Sequence, residues 1–281
     1  MWYISFFNPQ LLQTLIEIKP VQNLKATITV PGSKSYTNRA LLIAGLTDGE
    51  CRLEKPLVSD DTKYMIQALK AFGVPVREEE GAFIVSGKGG KLCAPDNDIF
   101  IGNAGTAMRF LTTFSTLAPG KVRLDGDERM HERPLADLLD CLTQMGIHAV
   151  SVNDNGCPPI DIKGGEVPGG DVQLAGDKSS QYLTSILLSA PYFKNDTCVH
   201  IQGDLTSKSY ADITLDIMKT FGVHVENESY QHFKVKTGDH YKAQTYQVES
   251  DWSSASYFLA AAAVTGGEVT LNGINPQSVQ G

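Results

Sequence analysis

The 281-residue chain is 42% hydrophobic and 20% charged, which excludes a disordered polymer and leaves room for one large domain or two ordinary ones. With 24 Lys and Arg against 32 Asp and Glu, its net charge of −8 argues against general nucleic-acid binding but permits a local cationic pocket for a small anion. The five cysteines (Cys51, Cys93, Cys141, Cys157, Cys198) form no C-x-x-C and the six histidines no H-x-x-x-H, so reduced thiols and no metal or cofactor are expected.

Residues 1–13 (MWYISFFNPQLLQ) are apolar but lack a basic leader and a small-residue cleavage site. They read as an extension outside the fold. No stretch there approaches the ~20 apolar residues that span a bilayer, so the chain reads as cytoplasmic, with no membrane partner. Residues 14–32 are taken as the first piece of a domain completed elsewhere.

A pattern then recurs from 33 to 249. An apolar helix (TNRALLIAGL, Thr37–Leu46) leads to a short strand, and DDTKYMIQALKAFGVPV (Asp60–Val76) follows as an amphipathic helix closed by Gly73. The hairpin PVREEEGAFIVSG ends the unit. TAMRFLTTFSTLA (Thr106–Ala118), ERPLADLLDCLTQMGIHAV (Glu132–Val150) and AVSVNDNGCPPIDIKG repeat it, with glycine at Gly146. SQYLTSILLSAPYF (Ser180–Phe193), YADITLDIMKTFGVHV (Tyr210–Val225) and HVENESYQHFKVKTG repeat it again, with glycine at Gly222. Such fixed-period similarity sets the fold class: α/β, with three β-α-β-α-β-β units, buried helices inside and sheets outside. A fourth copy begins in residues 250–281 with SSASYFLAAAAVTGG and EVTLNGI, without its second helix and hairpin. The chain therefore reads as the front part of a longer protein, its second domain incomplete, and the bare apolar face of 251–281 would favour self-association.

The four apolar helices open on PGSKSYTNRA, GNAGTAMR, GDKSSQY and SDWSSAS. Free N–H groups and the helix dipole make such starts anion sites, although serine and threonine are also ordinary N-caps. Lys34, Arg39 and Arg109 add cations within two turns. Gly32-Ser33-Lys34-Ser35 lacks the spacing of a nucleotide P-loop. GDERMHERP contributes Arg129 and Arg133, whose planar forks suit phosphate and carboxylate, and Lys178 stands beside Ser179, Ser180 and Gln181. These residues together suit a ligand carrying phosphate and carboxylate at once.

PGSKSYTNRALL, GNAGTAMR, ERMHERP, SSQYLTSILLSAP, DLTSKSYADITLDIMKTFGV and SSASYFLAAAA closely resemble the 5-enolpyruvylshikimate-3-phosphate (EPSP) synthase family, from about Leu15 to the last residue. The resemblance implies an enolpyruvyl transferase fold. It also implies transfer of the enolpyruvyl group of phosphoenolpyruvate to the 5-hydroxyl of shikimate-3-phosphate, a step of aromatic amino-acid biosynthesis inhibited by glyphosate. By the same resemblance Lys34, Ser35, Arg39, Ser179, Ser180, Ser207 and Tyr210 hold shikimate-3-phosphate, with Gln181 at the ring. Asn103, Gly105, Arg109 and Arg129 hold phosphoenolpyruvate together with Lys34 and Gln181, and Lys34 is the one catalytic group carried over.

Three departures bear on that expectation. The family's remaining catalytic residues follow Gln280-Gly281, so the chain alone is expected to turn over negligibly. A shikimate-3-phosphate-binding fragment and a structural remnant are the alternatives. Phe110 stands where the family usually has proline, which implies weaker glyphosate binding, and Ser250 and Trp252 alter the crossover between domains. The full family form is expected to be monomeric.

Overall fold

The computed structural model describes residues 19–280, so the expectation for 1–13, and that for 14–32 as far as residue 18, lie outside the described residues. After β1 (Lys25–Thr29), the first unit comprises α1 (Lys34–Leu46), β2 (Glu50–Glu54), α2 (Asp60–Ala71), β3 (Val76–Glu79) and β4 (Ala82–Ser86). The second comprises β5 (Ile99–Phe100), α3 (Gly105–Phe114), β6 (Gly120–Asp125), α4 (Ala136–Gln144), β7 (His148–Ser151) and β8 (Ile160–Gly164). The third comprises β9 (Gly170–Ala175), α5 (Ser180–Ser189), β10 (Thr197–Gln202), α6 (Lys208–Thr220), β11 (Val225–Glu228) and β12 (His232–Val235). Then come β13 (Thr245–Gln247), α7 (Trp252–Thr265) and β14 (Glu268–Asn272).

The three four-stranded sheets share one strand order: β13-β2-β4-β3, β5-β6-β8-β7 and β9-β10-β12-β11. In each, the outermost leading strand pairs parallel and the hairpin pairs antiparallel. The first unit departs from the sequence pattern: it has no leading strand of its own, and β13, at the far end of the third unit, supplies one. β1 and β14 form a separate parallel pair.

The apolar helices α1, α3 and α5 lie inside and touch one another in all three pairings. Every residue of α1 from Tyr36 to Leu46 is buried. By contrast α2 buries the stripe Thr62, Met65, Ala68 and Leu69, the spacing of one helix face. Its start is fixed by a Ser59–Thr62 capping box, with Asp60 and Asp61 against the positive end of the dipole. The recurrent glycines have one cause. Gly73, Gly146 and Gly222 follow α2, α4 and α6 with φ of 80°, 77° and 90°, a left-handed turn that side chains resist.

Three predicted helix boundaries move. The α-helices α3 and α5 end at Phe114 and Ser189 and continue as single 3₁₀ turns, Ser115–Leu117 and Ala190–Tyr192. In the first, Ser115 and Thr116 hydroxyls bond back to Leu111 and Thr113 carbonyls and compete with the helix ladder. In the second, Pro191 lacks the N–H that would continue it. Helix α4 starts at Ala136 rather than Glu132 because Arg133 precedes Pro134 and is held extended, at φ −90° and ψ 119°.

On the second sheet, Arg123 and Asp161 face each other across β6 and β8 and pair through two hydrogen bonds of 2.6 and 2.8 Å, with Lys121 at 2.9 Å. The Arg123 contact, reinforced by Lys121, pulls the Asp161 carboxyl down to about 2. An unfolded chain titrates this group near its ordinary ~3.9, so it binds the extra proton first as pH falls. The contribution is whole above that value and lost through about 2. Asp161→Asn should therefore flatten the fall in Tm between pH 5 and 2 measured by circular dichroism; an unchanged slope would show the pair contributes nothing.

The chain enters and leaves the three-unit body side by side. Ser33 N–H donates to Glu249 O at 2.7 Å and Asp251 N–H to Pro31 O at 2.9 Å. Trp252, at the crossover, donates from its indole N–H to Asn275 O at 3.1 Å, which ties the start of α7 to the segment after β14. Although α7 is apolar on nearly all sides, Ala255 is its one buried residue, while Tyr257 and Val264 are 78% and 84% exposed. Among the described residues, no helix is long and apolar enough to cross a membrane.

Candidate functional site

The starts of α1, α3 and α5 lie on one side of the bundle. Gln181 Nε2 reaches Thr106 Oγ1 at 3.4 Å between the first turns of α5 and α3. One turn deeper, the Arg39 guanidinium lies over the Phe110 ring at 5.1 Å and donates to Thr184 Oγ1 at 3.3 Å. Equal depth at each contact means the three helices run parallel, so their dipoles and free N–H groups converge.

Arg39 is 1% exposed, and its fork is spread over three helices. Nε donates to Thr214 Oγ1 at 2.8 Å, Nη1 to Ser35 O at 2.9 Å, and Nη2 to Thr184 Oγ1 and to Tyr210 O at 3.1 Å. Four of the five donors are used, all by neutral oxygens. Burial pulls its pKa down to about 10, so it remains a cation at neutral pH. A buried charge held by neutral dipoles alone is costly, and an anion would relieve that cost.

Two cavities open at these helix starts; Arg39 lines neither, but its partners Ser35 and Tyr210 line the smaller. A small one of about 50 Å³ is lined by Ser35, Tyr210, Asp251, Ser253 and Gln280 among others. A larger one of about 470 Å³ is lined by Arg109, Lys178, Ser179, Gln181, Tyr182 and Asp137, with Pro134 at its edge. In the larger cavity the Ser179 side chain caps α5 by accepting from Gln181 N–H at 3.2 Å. Arg109 donates to Gly105 O at 3.1 Å and lies 5.8 Å from the Tyr182 ring centre. Tyr182 is fixed in turn by its hydroxyl on Pro134 O at 2.7 Å, and burial raises that hydroxyl's pKa.

Gly105 opens α3 between two guanidinium groups. A Cβ there would fall 2.0 Å from Arg133 Nη1 and 2.9 Å from Arg109 Nη1. Only hydrogen leaves room for both forks against the backbone. Arg133 was legible as a cation in ERMHERP, but nothing in the motif set it apart from Arg129.

The other expected residues are placed as follows. Lys34 begins α1 and pairs with Asp61 at 3.2 Å. Ser180 is buried in the first turn of α5. Ser207 precedes α6 in the left-handed region, at φ 53° and ψ 52°, without a side-chain capping bond. Asn103 is exposed in the turn before α3, its carbonyl accepting from Gly105 N–H at 2.9 Å. Arg129 is exposed and paired with Glu132. Of the expected residues, Ser35 and Tyr210 line the small cavity and Arg109, Ser179 and Gln181 the larger, while Lys34, Arg39, Asn103, Gly105, Arg129, Ser180 and Ser207 line neither.

Among the described residues, the buried side-chain atoms without a hydrogen-bond partner include both amide atoms of Asn38, Arg109 Nε and Gln181 Oε1. These four belong to the first two turns of α1, α3 and α5, while the other two, Ser189 Oγ and Thr197 Oγ1, lie at the end of α5 and the start of β10. Buried polar groups are nearly always paired, so this concentration marks where a polar ligand is wanted. Asn38 carried no signal of its own, because a helix-start asparagine reads as a cap.

The profile of EPSP synthase (3-phosphoshikimate 1-carboxyvinyltransferase) matches residues 18–281. Proteins named 3-phosphoshikimate 1-carboxyvinyltransferase from Sulfurovum sp. (strain NBC37-1) and Shewanella piezotolerans are each 46% identical over 270 residues, which is 95% of this chain and 63% of theirs. The solved EPSP synthase from Acinetobacter baumannii superposes with a TM-score of 0.82 at 27% identity, over 92% of this chain and 57% of that one. The chain thus spans 63% of the length of these curated relatives. With residues 18–281 of the chain matched by the family profile and the architecture shared with a solved member, the chain belongs to the EPSP synthase family.

Proposed function

We propose that this chain forms the larger part of a 3-phosphoshikimate 1-carboxyvinyltransferase and carries its shikimate-3-phosphate site. Residues 33–249 make the three-unit domain, while 14–32 and 250–281 belong to a second one. In the reaction, the 5-hydroxyl of shikimate-3-phosphate adds to C2 of phosphoenolpyruvate as the methylene carbon takes a proton. The C–O bond to phosphate then breaks and the proton leaves. Closure of two domains over the substrates would exclude water from these steps.

The observation that carries this reading is the buried Arg39 cation, held by neutral oxygens alone, among them those of Ser35 and Tyr210, which line the small cavity. Lys34, Ser35, Arg39, Ser179, Ser180, Ser207 and Tyr210 receive shikimate-3-phosphate, with Gln181 against the ring. Asn103, Gly105, Arg109 and Arg129 receive phosphoenolpyruvate together with Lys34 and Gln181, and Arg133 joins them through its contact with Gly105. The addition needs a base for the hydroxyl and an acid for the methylene carbon. Lys34, tied to Asp61, serves neither alone, so turnover by this chain in isolation is expected to be negligible.

Calorimetric titration of the chain with shikimate-3-phosphate tests the proposal. Saturable binding at one site supports it. A folded chain that shows no heat of binding would sink the assignment of this site to the chain alone and leave it a structural part.

A further inference from the structure

The outer face of the third sheet carries a second constellation, which shares no residue with the cavities at the helix starts. Along β10, Thr197, Val199 and Ile201 turn inward while Cys198 and His200 turn outward. Strand register sets their neighbours. Asp171 of β9 lies opposite Cys198, His232 of β12 lies opposite His200, and Glu228 of β11 lies opposite His232. A carboxylate oxygen of Asp171, the Cys198 sulfur and a ring nitrogen of His200 all lie within 4.8 Å of one another. His200 Nε2 is 3.1 Å from Asp171 Oδ1, and its Nδ1 is 2.8 Å from His232 Nδ1. A hollow of about 250 Å³ is lined by Cys198, His200 and His232 together with Glu226, Glu228 and Lys234, and Asp171 stands beside it through its contact with His200.

We propose that Asp171, Cys198 and His200 form a binding site for a divalent transition metal of the zinc type, with His232 as the group that orients His200. Bond lengths of ~2.0–2.3 Å to nitrogen, oxygen and sulfur place tetrahedral ligands roughly 3.3–3.8 Å apart. The His200 nitrogen and the Asp171 oxygen lie 3.1 Å apart and the sulfur lies within 4.8 Å of both, so small side-chain rotations bring the three donors to that spacing. Thiolate, imidazole and carboxylate together select a borderline metal over the hard cations magnesium and calcium.

The His–His contact supplies the orienting partner that metal-ligating histidines need. When His200 donates its Nδ1–H to His232 Nδ1, its Nε2 lone pair faces the sulfur and the carboxylate. Cys198 binds as thiolate and releases its proton to solvent. Burial, then Asp171 and Glu228, push its thiol pKa upward, a bias that a cation reverses. Water in the hollow completes the fourth position. Linear spacing could not show this site, because its ligands come from adjacent strands and only register joins them.

Titration of the purified chain with cobalt(II) reads the site directly. The expected result is one equivalent bound, with a thiolate-to-cobalt charge-transfer band that zinc displaces. The band should vanish in Cys198→Ser and persist in Cys93→Ser, which alters the exposed cysteine elsewhere. His232→Gln should keep the band but weaken binding ~10–100-fold. Circular dichroism of Cys198→Ser separates loss of ligand from loss of fold, and His200→Gln provides a second variant with the sulfur intact, in which binding should also fall. Absence of the band in the folded original chain would overturn the proposal, as would a band that survives Cys198→Ser. Retained affinity in His200→Gln would do the same.

Discussion

Arg39→Met is expected to leave the chain folded, within about 2 kcal/mol of its original stability, while shikimate-3-phosphate binding falls at least ~100-fold. Methionine fills much of the arginine stem's volume and removes a charge that no carboxylate compensates. The oxygens it leaves behind are largely provided for: Thr184 and Thr214 hydroxyls lie 2.8 Å apart, and Thr214 donates to Tyr210 O at 2.8 Å. The fold therefore loses little. An anion arriving beside the site loses a cation in a low-dielectric interior, where charge-assisted contacts are strongest. Thermal denaturation and calorimetry on the same variant separate the two effects. Undiminished affinity would make Arg39 a strut between α1, α5 and α6 and nothing more.

The second large effect is expected at Gly105. In Gly105→Ala the new methyl would meet Arg133 Nη1 at 2.0 Å and Arg109 Nη1 at 2.9 Å, so both forks must withdraw. Both are ends of flexible side chains, and stability should change by less than about 1 kcal/mol. Phosphoenolpyruvate affinity, measured by calorimetry with shikimate-3-phosphate present, should fall ~10–100-fold, because bidentate contacts do not survive displacement of the fork. Arg133→Ala alone should also lower it. If Gly105→Ala weakens binding while Arg133→Ala does not, the methyl acts through Arg109 alone.

The repeat was legible because its signals are local. A left-handed turn demands glycine at Gly73, Gly146 and Gly222, and an all-apolar helix demands burial. The closing role of β13 was not, since Thr-Tyr-Gln is too short to alternate and its partner β2 lies at the other end of the domain. In the site, arginine at position 39 could be read as a cation, but its burial depends on Thr184, Thr214 and Tyr210, which only the packed bundle brings to it. Phe110 is similar. Residue type marked it as unusual, and the fold gives it a task, covering the face of that guanidinium.

The placement of β13 also bears on how the polypeptide is made. The first sheet, synthesised first, keeps β2 as an open edge until Tyr246 has been added after all three units. Unpaired edges recruit strands from other chains. Nascent chains stalled before Thr245 should therefore be prone to aggregate, and those that have passed Gln247 protected.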